Sequence, residues 1–219
     1  MIRQMLLGIR LRDDATFDSY LGEAGERLSV SSGLVYLWGH PGSGRSHLLQ
    51  ACCHQARKAG HSAIFLDSLE EYDSGVLKGL ESVQVVCLDD MDTVTGDDQW
   101  QLDLFHLINA VRDAGGNLII SAAMPVQALP IRLQDLHSRL LAAMSIQTDR
   151  LSDEQKLHVL QQRAVVRGFR LSEEVGKFIM GRTPRSLSSL IDLLERLDEE
   201  TLVQQRKVTI PLVKEMLGI

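Results

Sequence analysis

The stretch Gly39-His40-Pro41-Gly42-Ser43-Gly44-Arg45-Ser46 constrains the fold of this chain more than any other. It follows the short apolar run Leu34–Trp38 and precedes the amphipathic segment Ser46–Ala59. A glycine frame of this spacing between a strand and a helix is the Walker A arrangement. Its glycines permit dihedrals that turn successive backbone N–H groups inward as an anion nest. The helix behind adds the positive end of its dipole, and the Ser46 hydroxyl can ligate Mg²⁺. Gly39, Pro41, Gly42, Ser43, Gly44, Arg45 and Ser46 are therefore the expected nucleotide contacts. His40 and His47 flank the loop within reach of a nucleotide, His47 standing as a candidate contact, although an ordinary loop or helix residue is the better reading of each. One position departs from the motif: Arg45 stands where it has lysine. A guanidinium keeps the charge but is bulkier and planar, so binding is expected to survive better than catalysis. The alternative is a tight glycine-rich turn without a ligand.

The rest of the chain follows the same alternation. Ala63–Leu66, Val83–Leu88, Leu118–Ser121 and Ala143–Gln147 are compact apolar runs that read as strands, buried on both faces for all but the last. Between them lie helical periodicities at Asp73–Leu80, Asp98–Ala114 and Leu133–Leu140. Repeated β-α-β alternation predicts a parallel five-stranded sheet flanked by helices. After Thr148 the strands stop. Ser152-Asp153-Glu154-Gln155 opens a helix that Gly168 ends, Ser172 and Pro184 open two more, and Ile210-Pro211 begins a short last one. The apolar positions Leu187, Leu190, Ile191, Leu194 and Leu197 mark the core face of the third. The division expected is an N-terminal peptide over 1–10, an α/β domain over 11–148 and a small helical domain over 149–219.

A second element bears on the same chemistry. Val85-Val86-Cys87-Leu88-Asp89-Asp90 is a strand ending in carboxylates, which places them at the sheet edge where ligands of open α/β folds bind. Asp89 suits Mg²⁺, through water, and Asp90 can orient an attacking water. A strand ending in a polar turn is the plainer alternative.

Composition excludes several classes. Net charge is −6, and residues 1–148 carry eleven Lys/Arg against eighteen Asp/Glu. That argues against autonomous, sequence-specific DNA binding, which favours a basic face. No apolar run reaches the length of a membrane span and no secretory leader is recognisable, so a cytoplasmic protein is expected. Cys52, Cys53 and Cys87 show no metal-binding spacing and read as small buried hydrophobes.

These motifs together resemble an AAA+ P-loop NTPase with a C-terminal helical lid. The likeness sharpens at Leu11–Phe17, Gly44–Leu49, Leu193–Asp198 and Gln205–Pro211, which resemble the Hda family of DnaA-related proteins over nearly the whole chain. Arginine in the glycine loop is part of that family's pattern. The resemblance implies bound ADP or ATP and weak or no intrinsic ATPase. It also implies that the family's member, on the DNA polymerase III sliding clamp, promotes hydrolysis of ATP held by the DnaA initiator and so represses replication initiation. By the same resemblance Ser121 matches sensor 1, Arg139 the arginine finger and Arg185 sensor 2, while Gln4, Leu6 and Leu7 match the clamp-docking peptide. On the residues alone, Ser121 is as well read as a serine ending a strand, and Arg139 as an i,i+4 partner of Asp135. Arg185 follows Pro184 in a first helical turn, where a cation opposes the dipole, so another anionic partner is expected. The N-terminal peptide can instead pack on its own domain. A homo-oligomer stays open. The competing functions are a P-loop phosphotransferase and a helicase-loader-type AAA+ ATPase.

Overall fold

A computed structural model describes residues 11–148, 150–183, 187–204 and 208–218. The chain divides into two compact units, residues 1–40 with 44–149 and residues 150–219 with the short piece 41–43 of the glycine loop. In the first, α1 (Glu23–Ser29) precedes β1 (Leu34–Trp38) and α2 (Arg45–Lys58). Then come β2 (Ala63–Leu66), β3 (Val85–Leu88), α3 (Asp98–Asp113), β4 (Asn117–Ala122), α4 (Gln134–Leu141) and β5 (Met144–Gln147). The five strands are all parallel, in the order β2-β3-β4-β1-β5.

Alternation along β1 shows why the sheet needs helices on both sides. Tyr36 packs in one core with α3 and α4, against Trp100, Leu104, Leu136 and Leu140. Val35 and Leu37 enter the other core with α1 and α2, against Leu28, Leu48, Leu49 and Cys53. Period-two side chains thus feed two separate hydrophobic layers. Cys52, Cys53 and Cys87 are all buried free thiols, as their apolar setting suggests.

Three local departures from the sequence expectations have physical causes. The helix expected at Asp73–Leu80 is two short 3₁₀ turns, Ser74–Leu77 and Leu80–Ser82. The Asp73 carboxylate accepts the Gly75 N–H at 2.8 Å, and Gly79 takes φ of 89°, so side-chain capping and glycine divide the segment. β3 starts at Val85 rather than Val83, because Gln84 and Ser62 exchange side-chain-to-backbone hydrogen bonds, each 3.0 Å, just before the ladder. Finally, α1 has only seven residues, and its weak Glu-Ala-Gly-Glu pattern gave no periodic signal.

The second unit comprises α5 (Asp153–Val166), α6 (Glu173–Arg182), α7 (Leu187–Gln204) and α8 (Ile210–Leu217). Its core joins Leu160, Ala164, Ile179, Leu190, Leu194, Leu197 and Val213. Ser152 closes a capping box: its hydroxyl accepts the Gln155 N–H at 3.2 Å, and the Gln155 side chain accepts the Ser152 N–H at 2.8 Å. Replacing Ser152 by alanine is expected to cost this unit about 1 kcal/mol, read as a lower midpoint in helix-monitored thermal unfolding. Among the described residues no helix is long and apolar enough to cross a membrane.

Candidate functional site

The Gly39–Ser46 loop leaves β1 at its C-terminal end and runs into α2. The Gly39 N–H is tied to the Ala122 carbonyl of β4 at 3.2 Å, which fixes where the loop departs from the sheet. Gly42 and Gly44 have φ of 77° and 90°, dihedrals that other residues adopt only with strain. Gly44 is the N-cap of α2, so the unpaired N–H groups of the first turn open onto the loop. Ser43 is buried, while His40, Pro41, Gly42 and Ser46 are exposed. Such a cradle suits an oligophosphate.

The neighbouring carboxylates come from β3. Asp89 is 3% exposed, and the Ser121 hydroxyl donates to its Oδ1 atom. The same hydroxyl accepts the Asp90 N–H at 2.9 Å. Ser121, itself fully buried at the end of β4, therefore positions both aspartates. The register makes this possible: Leu88 pairs with Ile120, so the next residues, Asp89 and Ser121, adjoin. Asp90 has φ of 48°, a left-handed conformation that turns its carboxylate away from the strand direction.

Arg45 meets that carboxylate. Its guanidinium Nη1 lies 2.8 Å from Asp90 Oδ1, and the arginine side chain is 7% exposed. Burial, and then the charge of Asp89, raise the Asp90 pKa above the usual carboxylate range, with Asp92 and Glu70 adding to this and Arg45 opposing it. For Mg²⁺, the donor set fits: an exposed Ser46 hydroxyl at the mouth of the cradle and a carboxylate at the strand end match an ion that keeps most of its waters and binds phosphate oxygens.

A strap formed by Arg12–Tyr20 lies along α2. The Arg12 N–H donates to Gln50 Oε1 at 2.8 Å, His54 Nε2 reaches the Arg12 carbonyl at 2.9 Å, and His47 Nε2 reaches the Thr16 carbonyl at 2.8 Å. The His47 ring, a candidate nucleotide contact, is thus engaged in holding the strap. Gln50 and His54 were not singled out in the sequence. Their signal was the spacing 47, 50, 54, which sets three polar side chains along one face of the helix.

Arg139 lies on α4, exposed. It borders a cavity of about 410 Å³ with Gly33, Leu34, Asn117 and Leu118, the residues that begin β1 and β4. That is the sheet edge opposite the glycine loop. The pairing with Asp135 that its spacing allows is not formed. Gln4, Leu6, Leu7 and Arg185 lie outside the described residues.

Comparison with known proteins agrees with this architecture. The family model described as the bacterial DnaA ATPase domain matches residues 23–147, and that of the Hda lid domain matches residues 153–217. A protein of Haemophilus influenzae (strain ATCC 51907 / DSM 11121 / KW20 / Rd) described as uncharacterised is 37% identical over 231 residues, covering all of both chains. Among solved structures, domain III of the Thermotoga maritima replication initiation protein DnaA superposes with a TM-score of 0.77 at 20% identity, covering 96% of this chain and 98% of that one. AMPPCP-bound DnaA from Aquifex aeolicus superposes with a TM-score of 0.69 at 18% identity, covering 86% of this chain and 66% of that one. With the DnaA ATPase model spanning more than half of its length and the Hda lid model covering its helical unit, this chain belongs to the Hda-like, DnaA-related AAA+ proteins.

Proposed function

We propose that the chain is a nucleotide-dependent regulator of the DnaA initiator: it binds ADP or ATP with Mg²⁺ in the Gly39–Ser46 cradle and presents Arg139 to ATP held by DnaA. The observation that carries this reading is the position of Arg139, exposed at the sheet edge opposite its own cradle. A guanidinium there, at the opposite ends of the strands from the cradle, is better placed for a neighbour's phosphates than for the chain's own. Its role is to neutralise charge that develops on the phosphates during transfer. The Mg²⁺ would supply charge neutralisation at the bound phosphates, with Ser46 and Asp89 holding it. The AMPPCP in the Aquifex aeolicus relative supports an adenine nucleotide in the cradle. Ser121 then serves to set the aspartates, and Arg185 keeps the nucleotide-sensing role that its match to sensor 2 implies.

The N-terminal peptide carries the second half of the reading. Gln4 offers a polar anchor, and Leu6 and Leu7 an aliphatic plug, for a groove on the sliding clamp. Burying one leucine is worth about 1.5–3 kcal/mol. Removing residues 1–9 is therefore expected to weaken capture on purified clamp about tenfold or more.

The experiment that tests the whole reading combines the chain, ADP, clamp loaded on DNA, and DnaA charged with radiolabelled ATP. Hydrolysis on DnaA is expected to rise only when all components are present. No rise would refute the regulator, and equal capture of the truncated chain would remove the peptide from it. A P-loop phosphotransferase would instead turn over ATP with a small acceptor and without DnaA.

A further inference from the structure

The ion pair between Arg45 and Asp90 has a consequence for binding at this site. Within Gly39–Ser46, all of them described residues, Arg45 is the only lysine or arginine. It is nine-tenths buried, yet its Nη1 atom lacks a partner aligned as a hydrogen bond, although Asp90 Oδ1 is only 2.8 Å away. The contact is a close ion pair whose alignment falls short of a good hydrogen bond. A buried donor in that state still has capacity for an anion of better geometry.

Asp90 is also the most exposed partner in the arrangement, its side chain 47% accessible against 7% for Arg45. It can lose the guanidinium and be solvated in place. Phosphate oxygens of an incoming nucleotide and the Asp90 carboxylate therefore ask for the same guanidinium.

We propose that Asp90 acts as an internal competitor of the nucleotide's phosphates for Arg45, so that the ion pair lowers the chain's own nucleotide affinity. This rests on the nucleotide reading given above and gives Asp90 a binding role besides the orientation of water. The competitor covers the cation when the cradle is empty and is displaced when a phosphate chain arrives. Asp90 needs no backbone movement to do so, because its left-handed conformation and the Ser121 bond to its N–H already fix it.

The test is a calorimetric titration of the full-length chain with ADP, in four forms: wild type, Asp90→Asn, Arg45→Ala and the double variant. Asp90→Asn is expected to bind ADP about tenfold more tightly than wild type, the fold-change of one released charged contact. In the Arg45→Ala background the same exchange is expected to change affinity by less than about twofold, because there is no cation left to release. Glu70→Gln removes a charge from the same acidic neighbourhood without touching Arg45, and is expected to leave affinity nearly unchanged. Unchanged or weaker binding by Asp90→Asn would overturn the competition. An equal gain with and without Arg45, or an equal gain from Glu70→Gln, would reduce it to a general field effect and overturn it as well. Absence of ADP binding in every form would instead refute the nucleotide reading on which it rests.

Discussion

Replacing Arg139 by alanine is expected to slow hydrolysis of DnaA-bound ATP by roughly 10³-fold or more, while leaving the chain's own affinity for ADP unchanged. A finger supplied across a boundary is worth about 10³–10⁵ in rate, which is about 4–7 kcal/mol of barrier. The split between the two readouts follows from the geometry, since Arg139 sits at the opposite sheet edge from the cradle. The fold should tolerate the change. α4 is anchored by Leu136 and Leu140, both buried, and alanine is a better helix former than arginine. Arg139→Lys should recover little, because a point charge cannot offer the fork that a planar guanidinium presents to two phosphate oxygens. The measurement is single-turnover release of phosphate from preloaded DnaA with clamp on DNA. Unaltered rates for the alanine variant would end the outward-finger reading.

How much of this site was legible in the sequence depends on how local each feature is. The cradle was legible because glycine spacing encodes dihedrals directly: Gly42 and Gly44 both take positive φ. The strands were legible because a sheet covered on both faces leaves continuous apolar runs. The position of Asp89 and Asp90 at the strand end followed from the same pattern. What stayed hidden depends on register and distance along the chain. Ser121 reaches both aspartates only because β4 lies beside β3, which no local pattern encodes. The union of Arg45 with Asp90 spans the same kind of gap and turns on a single left-handed residue that is not glycine. The strap along α2 was hidden for another reason. Arg12–Tyr20 has almost no regular structure, and its attachment is read from the partners His47, Gln50 and His54 rather than from its own residues.

Gly44→Ala is expected to weaken nucleotide binding roughly 100-fold, and two separate causes contribute. Gly44 holds φ of 90°, and a left-handed conformation costs an alanine about 1–2 kcal/mol. A Cβ at that position would also lie 2.7 Å from Cε2 of Tyr20, so the ring or the loop must shift. If the loop gives way, the N–H groups at the start of α2 lose their aim, and each lost bond to a charged phosphate costs about 1.5–3 kcal/mol. Gly60→Ala supplies the contrast. Its φ is 79° with nothing within 4 Å, so it carries the dihedral strain alone, at the far end of α2. That variant should lose stability but keep its nucleotide. Pairing Gly44→Ala with Tyr20→Ala removes the clash and keeps the strain, so partial recovery of ADP affinity in the double variant would apportion the two. Full affinity in Gly44→Ala itself would mean that the phosphates are not held by this backbone at all.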